Sequence, residues 1–475
     1  MGKNCIKTNP VHSKKTVKQD TTKTFVEMPV INPKAAGIDV GSRSFFVCVG
    51  QGPSDVREFG VFTCDLHDIA KYLKELGYTT VAMESTGFYW KQLFVLLQDY
   101  GIEVILVNAR HIKNVKGRKT DVIDSRWIQL LHSLGLLSAS FQPDIMTEEL
   151  RTYTRQRQYL LEQSSQQVLR INKNLTLMNL ILKPVLRDLV GATGKKIIEA
   201  ILGGTRDPFK LAELIHPNCH HSKDDFIKAL EGNYRDEYIF ELQQCYDSYL
   251  HFQAQVKKCD GKISELLEQF VSLKKCETKN DPRQGKPIKP KYKAPKTIKF
   301  KNCPPVSLAE NVFNLTGGIE LLKIPGVNTG TILSLVSEVG LDLSKFKTAK
   351  HFCSWLGLAP NNKITGSRMI SSHTEKKKNR VALAFRDAAN SVERIVANNP
   401  LKSFMKRIAS RKSRAVAITA TARKIASIVW VMLTKKVQFN HDLATEYQVI
   451  LRKQKIKTLQ RIINEFGVFS TEVKF

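Results

Sequence analysis

The stretch best suited to chemistry is Gly117-Arg118-Lys119-Thr120-Asp121-Val122-Ile123-Asp124-Ser125-Arg126-Trp127-Ile128, where two aspartates stand three apart among basic and apolar neighbours. If it opens a helix capped by Thr120 or Asp121, that spacing puts both carboxylates on one face and turns Val122, Ile123 and Ile128 toward a core. Two hard oxygen ligands on one face are half of a divalent-cation site, because Mg²⁺ held by a few carboxylates keeps positions open for phosphate oxygens and water. A capped helix start with a solvated second aspartate uses the same residues. Two upstream segments add to the set. Ala36-Gly37-Ile38-Asp39-Val40-Gly41-Ser42 reads as a buried strand, and Asp39 inside that apolar run needs a partner or a cation to stay charged. Thr80-Val81-Ala82-Met83-Glu84-Ser85-Thr86-Gly87 reads as a second strand ending in Glu84. Asp39, Glu84, Asp121 and Asp124 are therefore expected to converge in one acidic cluster.

A second kind of chemistry is written into Gly357-Leu358-Ala359-Pro360-Asn361-Asn362-Lys363-Ile364-Thr365-Gly366-Ser367-Arg368. A hydroxyl of Thr365 or Ser367, flanked by Lys363 and Arg368, could attack a phosphodiester while the cations stabilise charge on the phosphoryl oxygens. Most Ser and Thr in such loops only cap or turn. A basic helix is expected from Glu375 to Val396, carrying Lys376, Lys377, Lys378, Arg380 and Arg386. Upstream, Leu322-Lys323-Ile324-Pro325-Gly326-Val327-Asn328-Thr329-Gly330-Thr331-Ile332-Leu333 has the form of a helix-hairpin-helix, whose N–H groups at a helix start can accept a backbone phosphate. An ordinary helix-helix turn would look alike. Cys219-His220-His221 suggests zinc but lacks a second ligand pair.

The elements that must position these groups follow from periodicity. Strands are expected at Ala36 to Val40, Phe45 to Val49, Val56 to Thr63, Thr80 to Met83 and Glu103 to Val107. Helices are expected at Leu66 to Leu76, Tyr89 to Tyr100 and Asp121 to Leu134. Three strands in succession, followed by alternation of helix and strand, predict a mixed α/β sheet of RNase H-like order over residues 34–146, with helices on its faces. A long helix from Thr147 to Leu182, a helical insert over Gly191 to Leu230 and a helix from Asp236 to Lys275 with an apolar seam at threes and fours predict coiled-coil helices over 147–273, paired within one chain or across a dimer. Arg151, Arg155, Arg157, Arg170, Lys173 and Lys183 could line a nucleic-acid groove or a solvated helix surface. A Lys- and Pro-rich linker over 274–306, a mainly α-helical C-terminal domain over 307–440 and a helical tail over 441–475 complete the expected order.

Bulk properties narrow the partner. The 475 residues are 42% hydrophobic and 25% charged, and 74 Lys and Arg against 44 Asp and Glu leave a net charge of +30. Such an excess points to a polyanion, because each neutralised phosphate releases counterions. No uninterrupted apolar run approaches the roughly 20 residues a membrane span needs, so no membrane partner is expected. Residues 1–33 are polar and Lys-rich without the apolar centre of a signal peptide, and are expected to form a disordered basic arm. Nine cysteines without a paired motif fit a reducing compartment.

Taken in order, Gly37-Ile38-Asp39-Val40-Gly41, Met83-Glu84-Ser85-Thr86-Gly87, Lys119-Thr120-Asp121-Val122-Ile123-Asp124-Ser125-Arg126, Ile324-Pro325-Gly326-Val327, Gly357-Leu358-Ala359-Pro360 and Lys378-Asn379-Arg380 resemble the DEDD-type insertion-sequence transposases. The resemblance spans Lys34 to Lys436 and is specific in combination. It implies a recombinase with a RuvC-like nuclease domain and a C-terminal serine transposase domain, guided by a structured non-coding (bridge) RNA that pairs with donor and target DNA. It further implies Mg²⁺, with Mn²⁺ as a substitute, at Asp39, Glu84, Asp121 and Asp124, and a serine nucleophile forming a covalent link to DNA. Nucleic-acid contacts are expected at Lys119, Arg126, Lys323, Lys363, Arg368, Lys378 and Arg380. A homodimer or homotetramer in a prokaryotic cytoplasm, associated with the nucleoid, completes the expectation. Where the family commonly has Ser-Gly, this chain has Thr365-Gly366, with Ser367 displaced by two residues; Thr365 is the positional match and Ser367 the chemical one, and Ser371 and Ser372 stand behind them. A RuvC-like nuclease that uses water, and a non-catalytic nucleic-acid scaffold, are the alternative functions.

Overall fold

The computed structural model describes residues 29–52, 54–108, 120–279, 302–303, 307–375, 377–395, 399–440, 456–457, 459–461 and 463–464. Lys119, Lys376, the arm before residue 29 and the linker over 280–301 lie outside the described residues. The chain divides into two compact units, Met1–Gln142 and Pro143–Phe475.

In the first unit, β1 (Ala35–Val40), β2 (Phe45–Cys48), β3 (Val56–Phe59), β4 (Thr80–Glu84) and β5 (Glu103–Val107) form one sheet in the order β3-β2-β1-β4-β5. β1 and β2, and β2 and β3, pair antiparallel, whereas β1 and β4, and β4 and β5, pair parallel. This mixed sheet with helices is consistent with an RNase H-like domain. The third strand is shorter than expected: Thr63, its expected last residue, instead opens α1 (Thr63–Glu75), where Asp65 accepts the backbone N–H of Phe62. Together with α2 (Trp90–Asp99), α1 covers one face of the sheet. There Ala36, Ile38, Val40, Val81 and Met83 meet Ile69, Leu73, Leu93 and Leu97.

The opposite face is covered by α3 (Asp121–Ser133), whose buried residues Ser125, Ile128, Gln129 and His132 recur at helical spacing. Ile128 packs there with Ala82 and Val107. Because strand residues alternate between faces, Ala35, Gly37 and Asp39 on β1, and Ala82 and Glu84 on β4, all look toward α3. Residues 29–33, expected to belong to the disordered arm, are partly tied down: Ile31 and Asn32 donate their backbone N–H groups to the Ser133 carbonyl at the end of α3.

The second unit begins with α4 (Ile145–Leu177), which runs antiparallel to α8 (Asp236–Lys279) within the same chain. Contacts from Arg170 to Glu241, Ser164 to Gln253 and Arg157 to Asp260 show the opposed directions. Between them, α5 (Ala192–Leu202), α6 (Pro208–Ala212) and α7 (Lys223–Leu230) close over one end of the pair, around Phe226, Ile197, Leu175 and Tyr246. The helix α8 continues past the expected start of the linker, to Lys279. Next come α9 (Ser307–Thr316), a 3₁₀ turn (Leu321–Lys323), α10 (Thr329–Glu338), α11 (Ala349–Trp355), the hairpin β6 (Lys363–Thr365) and β7 (Arg368–Ser371), α12 (Arg380–Val392), α13 (Pro400–Arg411) and α14 (Arg414–Lys435). Isolated helical residues at 456–457, 459–461 and 463–464 are what is described of the tail.

α14 is long and apolar enough to cross a membrane by length and composition alone, although Arg423 and Lys424 interrupt its apolar run. It packs against α11, α12 and α13 and buries Ala422, Ile425, Ala426 and Val429, which makes it the core helix of this bundle.

Candidate nucleic-acid and metal site

The register of α3 on β1 brings the carboxylates together. A Cβ on Gly37 would lie 2.3 Å from the Gln129 backbone nitrogen and 2.6 Å from the Ser125 carbonyl oxygen, so only glycine lets the helix backbone come this close. Gln129 Nε2 donates to the Ala35 carbonyl at 3.1 Å, fixing the far end of the contact. Residues 129, 125 and 121 form one ridge of α3, stepping about 6 Å per four residues, while 35, 37 and 39 step about 6.7 Å per two residues of strand. The two ladders run in opposite senses and nearly match. A helix pinned by Gln129 at Ala35 and by Ser125 at Gly37 therefore delivers Asp121 to Asp39. Along β4, Ile38 pairs with Met83, so Asp39 and Glu84 follow at the next step of neighbouring strands on the same face.

Burial and mutual repulsion report this convergence. Asp39 is pushed up to about 6, first by desolvation and then by the charges of Glu84, Asp121 and Asp124. Glu84 is buried, and its Oε1 accepts the Thr86 hydroxyl at 2.9 Å. Asp121 is exposed and Asp124 half-buried in the first turn of α3, which Thr120 caps by accepting the Ile123 N–H. Among the described residues, no three His, Cys, Asp or Glu side chains stand as a ready-made cage for one ion. The donor chemistry nevertheless fits Mg²⁺, a hard cation that takes one or two carboxylates and completes its shell with water and substrate phosphate. Cys219, placed near a zinc-like pair of histidines in sequence, rests against the Thr193 hydroxyl instead.

Replacing Gly37 with Ala should force α3 outward. The expected result is a loss of about 1–3 kcal/mol of stability, the usual cost of overpacking, read as a lower urea midpoint. Ser125→Ala, which only removes a bond to the Val122 carbonyl of its own turn, should cost less.

The cations expected to hold nucleic acid fall into two groups. Arg126 is half-buried and donates to the Gly52 carbonyl at 3.1 Å, tying α3 to the loop after β2. Arg151 and Arg155 meet the carboxylate of Glu338, Arg157 meets Asp260 and the Asn302 carbonyl, and Arg170 meets Glu241. These ion pairs join elements within the second unit. Lys323 pairs with Glu320, and Arg380 lies 3.9 Å from Glu338. Lys363, Arg368 and Lys378 are exposed. At the Gly326 turn the backbone approaches the Ala388 carbonyl on α12, and Asn328 caps α10 by accepting the Thr331 N–H.

The segment carrying Thr365 and Ser367 is ordered as a hairpin. Thr365 pairs with Arg368 across a two-residue turn in which Gly366 and Ser367 both have positive φ, +51° and +64°, the geometry that matches strand twist. The strands continue below through a Pro360 to Thr374 bridge and an Asn361 N–H to His373 carbonyl bond. Consequently the helix expected from Glu375 starts only at Arg380, capped by Asn379, and ends at Val392. A run of lysines is disfavoured at the positive end of a helix.

Two family models match the chain. One, described as Transposase and named for the DEDD transposases of IS110, covers residues 36–180; the other, described as Transposase IS116/IS110/IS902 family, covers residues 320–404. The chain carries IS110-family transposase domains. The first match contains all four converging acids and the second contains the whole hairpin, so both candidate chemistries fall inside transposase domains. No curated protein matches the chain. IS110-family domains support a DNA transposase of an insertion sequence, with DNA as its substrate.

A feature not anticipated from sequence follows Glu84 in the chain. Phe88 is 75% exposed and its ring stands 4.6 Å from that of Tyr89, in the turn after Glu84 where Gly87 adopts positive φ. The helix expected from Tyr89 starts one residue later, at Trp90.

Proposed function

We propose that the chain is a metal-dependent DNA recombinase that cuts and rejoins strands at the ends of its insertion sequence through a hydroxyl nucleophile, guided by a structured RNA. The observation that carries this reading is the convergence of Asp39, Glu84, Asp121 and Asp124 on the α3 side of the sheet, where burial first and the charges of the other three acids second raise Asp39 to about 6. Mg²⁺ or Mn²⁺ bound by these residues would supply Lewis-acid stabilisation of charge developing on the phosphoryl oxygens. The protein groups then have separate tasks. Asp39 and Glu84, from adjacent strands, form the rigid floor; Asp121 and Asp124, on the first turn of α3, close the rim. The exposed rings of Phe88 and Tyr89 offer stacking surface for bases beside the scissile phosphate.

The nucleophile in this reading is the hydroxyl of Thr365 or Ser367, supplied from the same or another copy of a homodimer or homotetramer. Its oxygen forms a bond to phosphorus, the bond to the 3′ oxygen breaks, and that oxygen leaves with a proton as the 3′ hydroxyl. Lys363 and Arg368 flank the attack and stabilise the transferred charge. The covalent ester conserves the phosphodiester energy for rejoining. RNA guidance is supported by the resemblance and by the +30 charge, and in this reading the protein works on nucleoid DNA in a prokaryotic cytoplasm.

The test is to purify the full chain from cells carrying the DNA that flanks its gene, sequence any bound RNA, and incubate the complex with that DNA in Mg²⁺ or EDTA. One discrete RNA and Mg²⁺-dependent cleavage with a protein-linked strand are expected. Cleavage without a protein-linked strand would assign water as nucleophile, and DNA binding without cleavage would leave a scaffold.

A further inference from the structure

The hairpin has a second face that the attack on phosphate does not use. Ile364 and Met369 are paired across the strands on the side opposite the Thr365 and Arg368 pair, and they are 62% and 56% exposed. Ile370 is 67% exposed. It is the extra residue of a bulge, since Lys363 pairs with Ser371 while Ile364 pairs with Met369. Bulges of this kind re-aim side chains and recur beside active sites. From Pro360 to the tip the ribbon reaches about 20 Å, with every residue from Asn361 to Ile370 exposed.

We propose that Ile364 and Met369 form an apolar wedge that enters the DNA base stack beside the phosphate attacked at the hairpin tip. This rests on the reading of the hairpin as the carrier of the nucleophile. Charge selects the occupant. No acidic residue occurs between Pro360 and Thr374, while Lys363 and Arg368 stand on the ribbon; beyond it Glu375 pairs with Lys377, and Lys378 is exposed. Edge-to-edge pairing with a second copy would bring these cations against their own kind. A two-stranded ribbon fits a major groove, and Ile and Met are among the side chains that unstack base steps in protein–DNA complexes. One face would then meet unstacked bases while the other presents hydroxyls and cations to the adjoining phosphate. Opening the step would expose the scissile bond to a short hydroxyl side chain.

The experiment uses the full chain with its copurifying RNA and a duplex of the DNA flanking its gene. A photoreactive amino acid at position 369 should attach to nucleobases next to the cleaved phosphate. Attachment to a second copy of the chain, or no attachment to DNA, would overturn the wedge. In parallel, the Ile364→Ser/Met369→Ser double variant should cleave the paired duplex at least about tenfold more slowly, since unstacking a step costs a few kcal/mol. On a duplex mismatched at the cleavage position it should recover to near the wild-type rate. Equal loss on both duplexes, or no loss on either, would also overturn it. Crosslinking does not need the hydroxyl, so a chain that attaches to bases but forms no protein-linked strand would uphold the wedge and remove the nucleophile reading.

Discussion

Asp39→Asn should abolish strand cleavage while leaving RNA and DNA binding within about twofold, because the substitution removes one charge from a protein of net +30 and leaves the basic surfaces in place. The loss should be on the order of 10³-fold or more, the rate equivalent of about 4 kcal/mol of transition-state stabilisation. Asp39 is the informative position because the other three acids all act on it. Asn keeps the shape and can accept one hydrogen bond, but it supplies neither the charge nor the second ligand oxygen. Glu84→Gln should behave alike, since Glu84 comes from the neighbouring strand. Cleavage assays at saturating DNA separate lost chemistry from lost binding. Normal cleavage by Asp39→Asn in Mg²⁺ would remove the metal assignment.

The second large effect is expected at the hairpin tip. Trapping the protein–DNA adduct and mapping the modified residue by mass spectrometry should place the phosphate on Thr365 or Ser367, and alanine at that residue should eliminate the adduct. The two hydroxyls differ in what holds them. Thr365 is a paired strand residue, whereas Ser367 sits in the turn at φ +64°, a conformation non-glycine residues seldom take without reason. Ser367→Gly relieves that conformation and removes the hydroxyl, so it separates the roles: if Thr365 is the nucleophile the variant should still form the adduct, and if Ser367 is, it should form none. An adduct on Ser371, Ser372 or elsewhere would contradict both assignments.

The sheet was legible because its strands are apolar runs bounded by Gly, Pro and Asp, and α3 because Thr120 and its two aspartates signal a helix start. The glycine at position 37 carried a further signal that went unread: a glycine inside a buried strand often marks a close backbone approach, here that of α3. The hairpin was missed because strands of three and four residues are too short for alternation to show, although Gly366-Ser367 between Lys-Ile-Thr and Arg-Met-Ile-Ser is a two-residue turn signal. The arginines of α4 read as a basic stripe because their partners, Glu338 and Asp260, lie more than a hundred residues away. Only the fold brings such charges together, so the sequence could not separate ion-paired arginines from those open to phosphate. The same holds for Phe88, whose exposure beside Glu84 depends on where the turn after β4 points.

The central claim is that the four acids share divalent cations. With the folded-state value of Asp39 raised to about 6, its contribution to stability is complete below the ordinary carboxylate range and is lost as pH rises through 6, where the charges of the cluster oppose one another. A bound cation would offset that loss above pH 6 and bind poorly below it, when Asp39 holds its proton. The decisive measurement is therefore the thermal midpoint of the full chain in EDTA and in Mg²⁺, at pH 5 and pH 7.5, for wild type and Asp39→Asn. Wild type should gain stability from Mg²⁺ at pH 7.5 and little at pH 5, and Asp39→Asn should exceed wild type in EDTA at pH 7.5 and respond weakly to Mg²⁺. Equal Mg²⁺ responses of the two proteins at pH 7.5, or none in wild type, would contradict the shared-cation account.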